Sequence, residues 1–218
     1  MEKYIWNEFF STDDNPGISK GTQSGQIRAL ASGTSVVVHC LFSGFDVSSI
    51  IIENAESRLL ISDSSFEYSI SPNNGTISFS TVQSADARTE FIMNRCCAFR
   101  CGCANNRFHF LFAQIFDDLR NRNYIIDSSI AWCGHTGSSD YIRRQNNGLL
   151  LNKRVNDSYC SVNAHSGPSF EGKKFFGRSI YLTISHNNAT NGRFFHCVGL
   201  PTEAQYIVLD HVVSCLFG

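Results

Sequence analysis

Leu59-Leu60-Ile61-Ser62-Asp63 and Tyr124-Ile125-Ile126-Asp127-Ser128 are two copies of one short pattern: about three apolar residues, a polar one, then a patch of Ser, Cys, Asn or Asp. The pattern recurs at Val36-Val37-Val38-His39-Cys40, Phe91-Ile92-Met93-Asn94-Arg95, Leu149-Leu150-Leu151-Asn152, Ile180-Tyr181-Leu182-Thr183 and Tyr206-Ile207-Val208-Leu209-Asp210. Its starts lie 23, 32, 33, 25, 31 and 26 residues apart, which excludes a strict short-period repeat. Between the copies lie further segments of three to six residues, such as Ile50-Ile51-Ile52, Thr76-Ile77-Ser78-Phe79-Ser80, Phe108-His109-Phe110-Leu111-Phe112, Lys174-Phe175-Phe176 and Phe194-Phe195-His196-Cys197. They are rich in β-branched or aromatic residues and bounded by turns such as Asn73-Asn74-Gly75 and Asn146-Asn147-Gly148, so they read as short strands.

Two or three short strands in each unit of roughly 25 to 32 residues is what one rung of a parallel β-helix requires, because each rung's apolar edge is covered only by the next. The expected fold is therefore all-β: a single-domain parallel β-helix of about seven irregular rungs over residues 1–218, with 1–30 as its N-terminal cap through Trp6, Phe9 and Phe10. A β-sandwich is the alternative, since it too uses short strands at close spacing. A sandwich favours in/out alternation, however, and the apolar triplets here do not alternate. Helical spacing is confined to Phe112, Ile115, Phe116 and Leu119, which allows one short helix or an irregular loop.

The composition is globular, with 42% hydrophobic residues and 18 phenylalanines in 218. A net charge of -1 argues against a nucleic-acid partner, because such domains carry a basic excess. The charge is unevenly spread: residues 1–119 hold 8 Lys and Arg against 13 Asp and Glu, and residues 120–178 hold 9 against 4. No run approaches the roughly 20 apolar residues of a spanning helix. The opening residues lack a secretory apolar core. The chain is thus expected in the cytoplasm, or at the surface or secreted if it is truncated. Three glycosylation sequons, at Asn74, Asn156 and Asn188, matter only in the secreted case.

Glu2-Lys3-Tyr4-Ile5-Trp6 with Phe9-Phe10, Asn94-Arg95-Cys96-Cys97-Ala98-Phe99 and Tyr124-Ile125-Ile126-Asp127-Ser128-Ser129-Ile130 resemble a large group of Cys/Ser/Asn-rich proteins from trichomonad protists. The resemblance covers about residues 1–165. It implies a right-handed β-helix of pectin-lyase-like type and no defined activity.

Lyases and hydrolases of that fold class need gathered carboxylates. The adjacent acidic pairs, Asp13-Asp14 and Asp117-Asp118, lie off the repeat strands, and Gly134-His135-Thr136-Gly137 lacks acidic partners before it. No catalytic residue, cofactor or metal is therefore expected. Cys96, Cys97, Cys101 and Cys103 are too closely spaced for one tetrahedral zinc site and read as buried free thiols in neighbouring rungs, in preference to disulfides or metal ligands. His39-Cys40 and His196-Cys197 cannot act as nucleophile pairs, because strand neighbours point to opposite faces.

Two candidate surfaces remain. Arg143, Arg144, Lys153, Arg154, Lys173 and Lys174 form a basic stripe if they recur on one face, the alternative being an ordinary solvated face. Tyr206, Ile207, Val208, Leu209, Val212, Val213, Leu216 and Phe217 form an apolar last rung, whose open edge is expected to meet another protein or a second copy. The expected function is a non-enzymatic structural or protein-interaction β-helix within a larger assembly. The alternative is a carbohydrate-active enzyme or carbohydrate-binding module, which exposed aromatic residues on the strands would favour.

Overall fold

The computed structural model describes residues 9–10, 17–23, 25–29, 33–53, 56–72, 75–81, 88–103, 108–118, 120–134, 141–162, 165–171, 177–189, 196–198, 202–205 and 208–210. The protein is all-β, and every strand pairing among these residues is parallel. That excludes the antiparallel ladders on which a sandwich is built.

The largest sheet runs from Gly33–Ser43 through Ser57–Ser62, Glu90–Asn94, Arg122–Ile126 and Leu149–Ser158 to Gly177–Ser185 and Thr202–Gln205. A second column of the same sheet passes through Ser65–Glu67, Cys97–Phe99 and Ser129–Ala131 and ends at Val208–Asp210. The other large sheet orders Ile27–Ala29, Ile50–Ile52, Ile77–Ser80, Phe108–Gln114, Tyr141–Asn146, His165–Glu171 and His196–Val198. Successive repeats contribute successive strands to both sheets.

Hydrogen-bonded equivalents fix the repeat length. Cys40 meets Ser64 at a separation of 24, Asp63 meets Arg95 and Cys96 meets Ser128 at 32, and Asp127 meets Arg154 and Cys160 meets Asn187 at 27. The last two intervals differ from the 25 and 31 expected from the apolar triplets. Leu151 pairs with Arg178 and Lys153 with Ile180, so the Leu149 and Ile180 triplets are not equivalent positions. Apolar residues lie on both faces of these strands, and a triplet therefore does not mark a fixed place in the repeat.

Alternation along the strands sends Val37, Ile61, Met93 and Ile125 into the main core, with Phe42, Phe66, Phe79, Phe91 and Phe110. Phe42 and Phe66 stack at 4.8 Å, the spacing of adjacent strands. Val36, Val38, Leu60 and Ile92 point the other way and are covered by Phe10, with Phe9 and Tyr124 at the margin. Phe10 thus lies against the outer face of the large sheet. The expected N-terminal cap region also supplies two strands, Gly17–Gln23 and Ile27–Ala29. The segment with helical spacing is a strand through Gln114 followed by irregular chain, because Phe112 and Ala113 continue the ladder to Ser78 and Phe79.

Candidate functional site

Twelve described residues other than glycine have positive φ, and eleven of them form two columns. One is His39, Asp63, Arg95, Asp127, Arg154 and Tyr181; the other is Tyr68, Arg100, Trp132, Tyr159 and His186, all with φ of 50–56°. Each left-handed residue costs about 1–2 kcal/mol against the usual backbone. Local bonding offsets that cost. The corner amides of Tyr68, Arg100, Trp132, Tyr159 and His186 donate to carbonyls of the following repeat at 2.8–3.1 Å.

The residue after each corner points inward, which explains the abundance of Ser, Cys and Asn. Ser64 Oγ donates to the Ser62 carbonyl and accepts from the Cys40 amide; Ser128 Oγ donates to the Ile126 carbonyl and accepts from the Cys96 amide. Cys96, Cys133 and Cys160 donate their thiols to carbonyls two residues back. Asn187 accepts from the Cys160 amide and donates to the Ser166 carbonyl. Burial pushes the Cys96 thiol up to about 12 and raises Cys133 and Cys160 as well, which keeps all three protonated and unreactive. Cys40, Cys96, Cys101, Cys103, Cys133 and Cys160 are buried, as expected for core thiols, whereas Cys97 is exposed.

The first column carries alternating charge. Arg95 donates two hydrogen bonds to Asp63, at 2.7 and 2.9 Å, and Arg154 grips Asp127 in the same two-pronged way. The hydrogen bond from Arg95 holds the Asp63 carboxyl below its ordinary value, and that from Arg154 does the same for Asp127. A carboxyl lowered by folding stabilises the fold above its unfolded pKa, and that contribution disappears as pH falls through the folded value. The double substitution Asp63→Asn with Asp127→Asn is accordingly expected to flatten the fall in thermal midpoint below about pH 4. An acid limb identical to that of the parent chain would refute this.

The second column is aromatic and exposed. Trp132 and Tyr159 stack at 4.7 Å and 2°, and Tyr159 stacks on His186 at 4.5 Å. Tyr68 meets Phe99 edge to face, and the Arg100 guanidinium lies over both rings, 5.8 and 5.2 Å from their centroids. Tyr68 and Trp132 are 50% exposed, Tyr159 is 42% and neighbouring Ile70 is 56%. Beside them opens a cleft of about 470 Å³, lined by Ile70, Arg100, Cys101, Gly102, Cys103, Trp132 and Gly134.

A further polar cluster lies inside the core. Arg143 and Asp157 are fully buried and joined at 2.7 Å; Arg143 also donates to Asn152, Asn152 to Gln145, and Gln145 to Asn123. On the outer face, buried Glu90 accepts from Arg58 at 2.8 Å and Arg122 at 2.7 Å, and both guanidiniums lie over Phe10.

Among the described residues the expected basic stripe does not assemble. Arg143 occupies the position of Leu111 in the ladder and is buried, so it belongs to the core and not to a solvated face. Arg144 turns outward to pair with Glu171, and Arg154 pairs with Asp127 on the other large sheet beside half-buried Lys153. Strand alternation separates neighbours that the linear charge pattern groups together. Lys173 and Lys174 lie outside the described residues. Of the expected apolar last rung, Val208 and Leu209 pair with Thr183 and Ile184; Tyr206, Ile207, Val212, Val213, Leu216 and Phe217 lie outside the described residues. His39 is exposed and Cys40 buried, on opposite sides of their strand.

The aromatic column was not among the expected sites. Its signal is a large residue followed by Ser, Cys or Asn, in Tyr68-Ser69, Arg100-Cys101, Trp132-Cys133, Tyr159-Cys160 and His186-Asn187. No protein-family model matches the chain, and no curated protein matches it. Among the described residues no helix is long and apolar enough to cross a membrane, and no three His, Cys, Asp or Glu side chains converge as a metal site.

Proposed function

We propose that the chain is a right-handed parallel β-helix acting as a non-enzymatic protein-interaction module, with the aromatic column as its docking surface. The parallel ladders joining each repeat to the next support the helical closure, as do the two left-handed corners in each repeat. The resemblance to the trichomonad proteins points the same way.

The observation that carries the docking role is the row of half-exposed Tyr68, Ile70, Trp132 and Tyr159 along one edge. Trp, Tyr and Arg dominate the energetics of protein interfaces, and rings already ordered by stacking lose little freedom on binding. A sugar packs on a ring's face, but Trp132 and Tyr159 cover one another's facing sides, and Tyr159 also stacks on His186. This arrangement favours a protein over a glycan. A non-enzymatic role also suits the carboxylates: Asp63, Glu90, Asp118, Asp127, Asp157 and Glu171 each meet a guanidinium.

Panning a phage-displayed random peptide library against the chain and against its Trp132→Ala/Tyr159→Ala variant tests the reading. Enriched peptides are expected to lose at least tenfold in affinity for the variant, with the far-ultraviolet circular dichroism unchanged. Peptides indifferent to the substitution, or a polysaccharide that binds through these two rings, would overturn it.

A further inference from the structure

We infer that the cleft beside Arg100 receives a large apolar side chain adjacent to a carboxylate, so that the partner's binding segment is acidic. The inference rests on the docking reading above and specifies the partner's chemistry. Arginine in this chain ordinarily sits on a carboxylate: Arg58, Arg95, Arg120, Arg122, Arg143 and Arg154 each do so. Among the described residues Arg100 has no such partner. Its guanidinium is held instead over the faces of Tyr68 and Phe99.

A guanidinium fixed over ring faces keeps its in-plane N–H groups available, and their forked geometry matches a carboxylate. The same side chain lines the cleft, whose other walls include exposed Ile70 and Trp132. Its 470 Å³ lies within the range of small-ligand sites. An apolar group entering the cleft covers Ile70 and the Trp132 ring, and a carboxylate one residue away reaches Arg100. Charge complementarity thus selects an acidic segment, and the apolar walls require a bulky neighbour beside the acid.

The probes are acetyl-Phe-Glu-amide, acetyl-Phe-Gln-amide and hexanoate, titrated into the full chain and followed at the Trp132 indole N–H by nuclear magnetic resonance. The Glu peptide is expected to bind at least tenfold more tightly than the Gln peptide, and Arg100→Gln to abolish that preference. Arg100→Lys should restore part of it, because the charge returns without the fork. Equal binding of the two peptides, an undiminished preference in Arg100→Gln, or hexanoate binding as tightly as the Glu peptide would each overturn the inference. Ring-dependent peptides from the panning that carry no acidic residue would also overturn it, while leaving the docking reading intact.

Discussion

Arg143→Ala is expected to lower the free energy of unfolding by about 3–5 kcal/mol, because it leaves a fully buried carboxylate without its counter-ion. The loss should be read from the urea midpoint at constant slope, which separates stability from a change in the unfolded chain. The substitution also strips Asn152 of the donor that satisfies its side-chain oxygen. Burial pushes the Asp157 carboxyl above its ordinary value, and Arg143 only opposes that rise. The pair therefore contributes little net stability even though breaking it is costly. Replacing both partners discriminates between these two statements. Position 143 aligns with Leu111, and position 157 with Ile130 and Ile184, so Arg143→Leu/Asp157→Ile restores the apolar residues of the adjoining repeats. The double variant is expected to recover most of the loss, short of about 1–3 kcal/mol for the polar atoms of Asn152 left without a partner. A single variant that costs less than about 1 kcal/mol, or a double variant no better than the single, would refute the account.

The same cluster suggests why a polar layer sits in an apolar core. Stacked repeats with similar apolar interiors can pair out of step, and a slipped register would separate Gln145, which the Arg143–Asn152 bonds hold in place, from Asn123 of the preceding repeat. The layer penalises that slip. If it does so, the double variant should be stable yet heterogeneous, with more than one set of backbone amide resonances. One set of sharp resonances would show that register is specified elsewhere.

The limits of the sequence follow from particular residues. Ile50-Ile51-Ile52 and Leu59-Leu60-Ile61 reveal strands, and their failure to alternate shows that both faces are occupied. The occupant of the outer face is not legible, because Phe10 reaches Leu60 and Ile92 only through the folded chain. Arg143 and Arg144 look alike in a charge count, yet the ladder buries one and turns the other outward. Cys96, Cys101 and Cys133 are legible as small core residues. Their thiol bonds to carbonyls two residues back depend on the left-handed corner that precedes each. Those corners are the largest omission: propensity disfavours positive φ at Tyr68, Trp132 and Tyr159, and only the paired spacing to a following Ser or Cys betrays them. The exposed aromatic column follows directly from them.

Gly134→Ala is expected to cost on the order of 3 kcal/mol, from backbone strain and overpacking together. Gly134 has a φ of +100°, outside the 50–56° of the corner columns, and its amide donates to the Cys101 carbonyl. A Cβ there would lie 2.3 Å from the Ser161 carbonyl oxygen and 2.8 Å from the end of Ile142. Ile142 can swing aside. The Ser161 oxygen cannot move without shifting backbone that is held to Cys133 and to Asn188 in the neighbouring repeats. Gly44 supplies the control. Its φ is +72°, nothing lies within 4 Å of where its Cβ would be, and its amide bonds to Glu67 as Tyr68 bonds to Phe99. Gly44 thus continues the aromatic column, whose other members carry side chains at similar φ. Gly44→Asn is expected to change stability by less than about 1 kcal/mol, since Asn tolerates the left-handed region. Similar midpoints for the two variants would mean that close backbone approach, and not merely positive φ, does not constrain position 134. A large loss confined to Gly134→Ala would show that the wall of the cleft beside Trp132 is set by the contact between these two repeats.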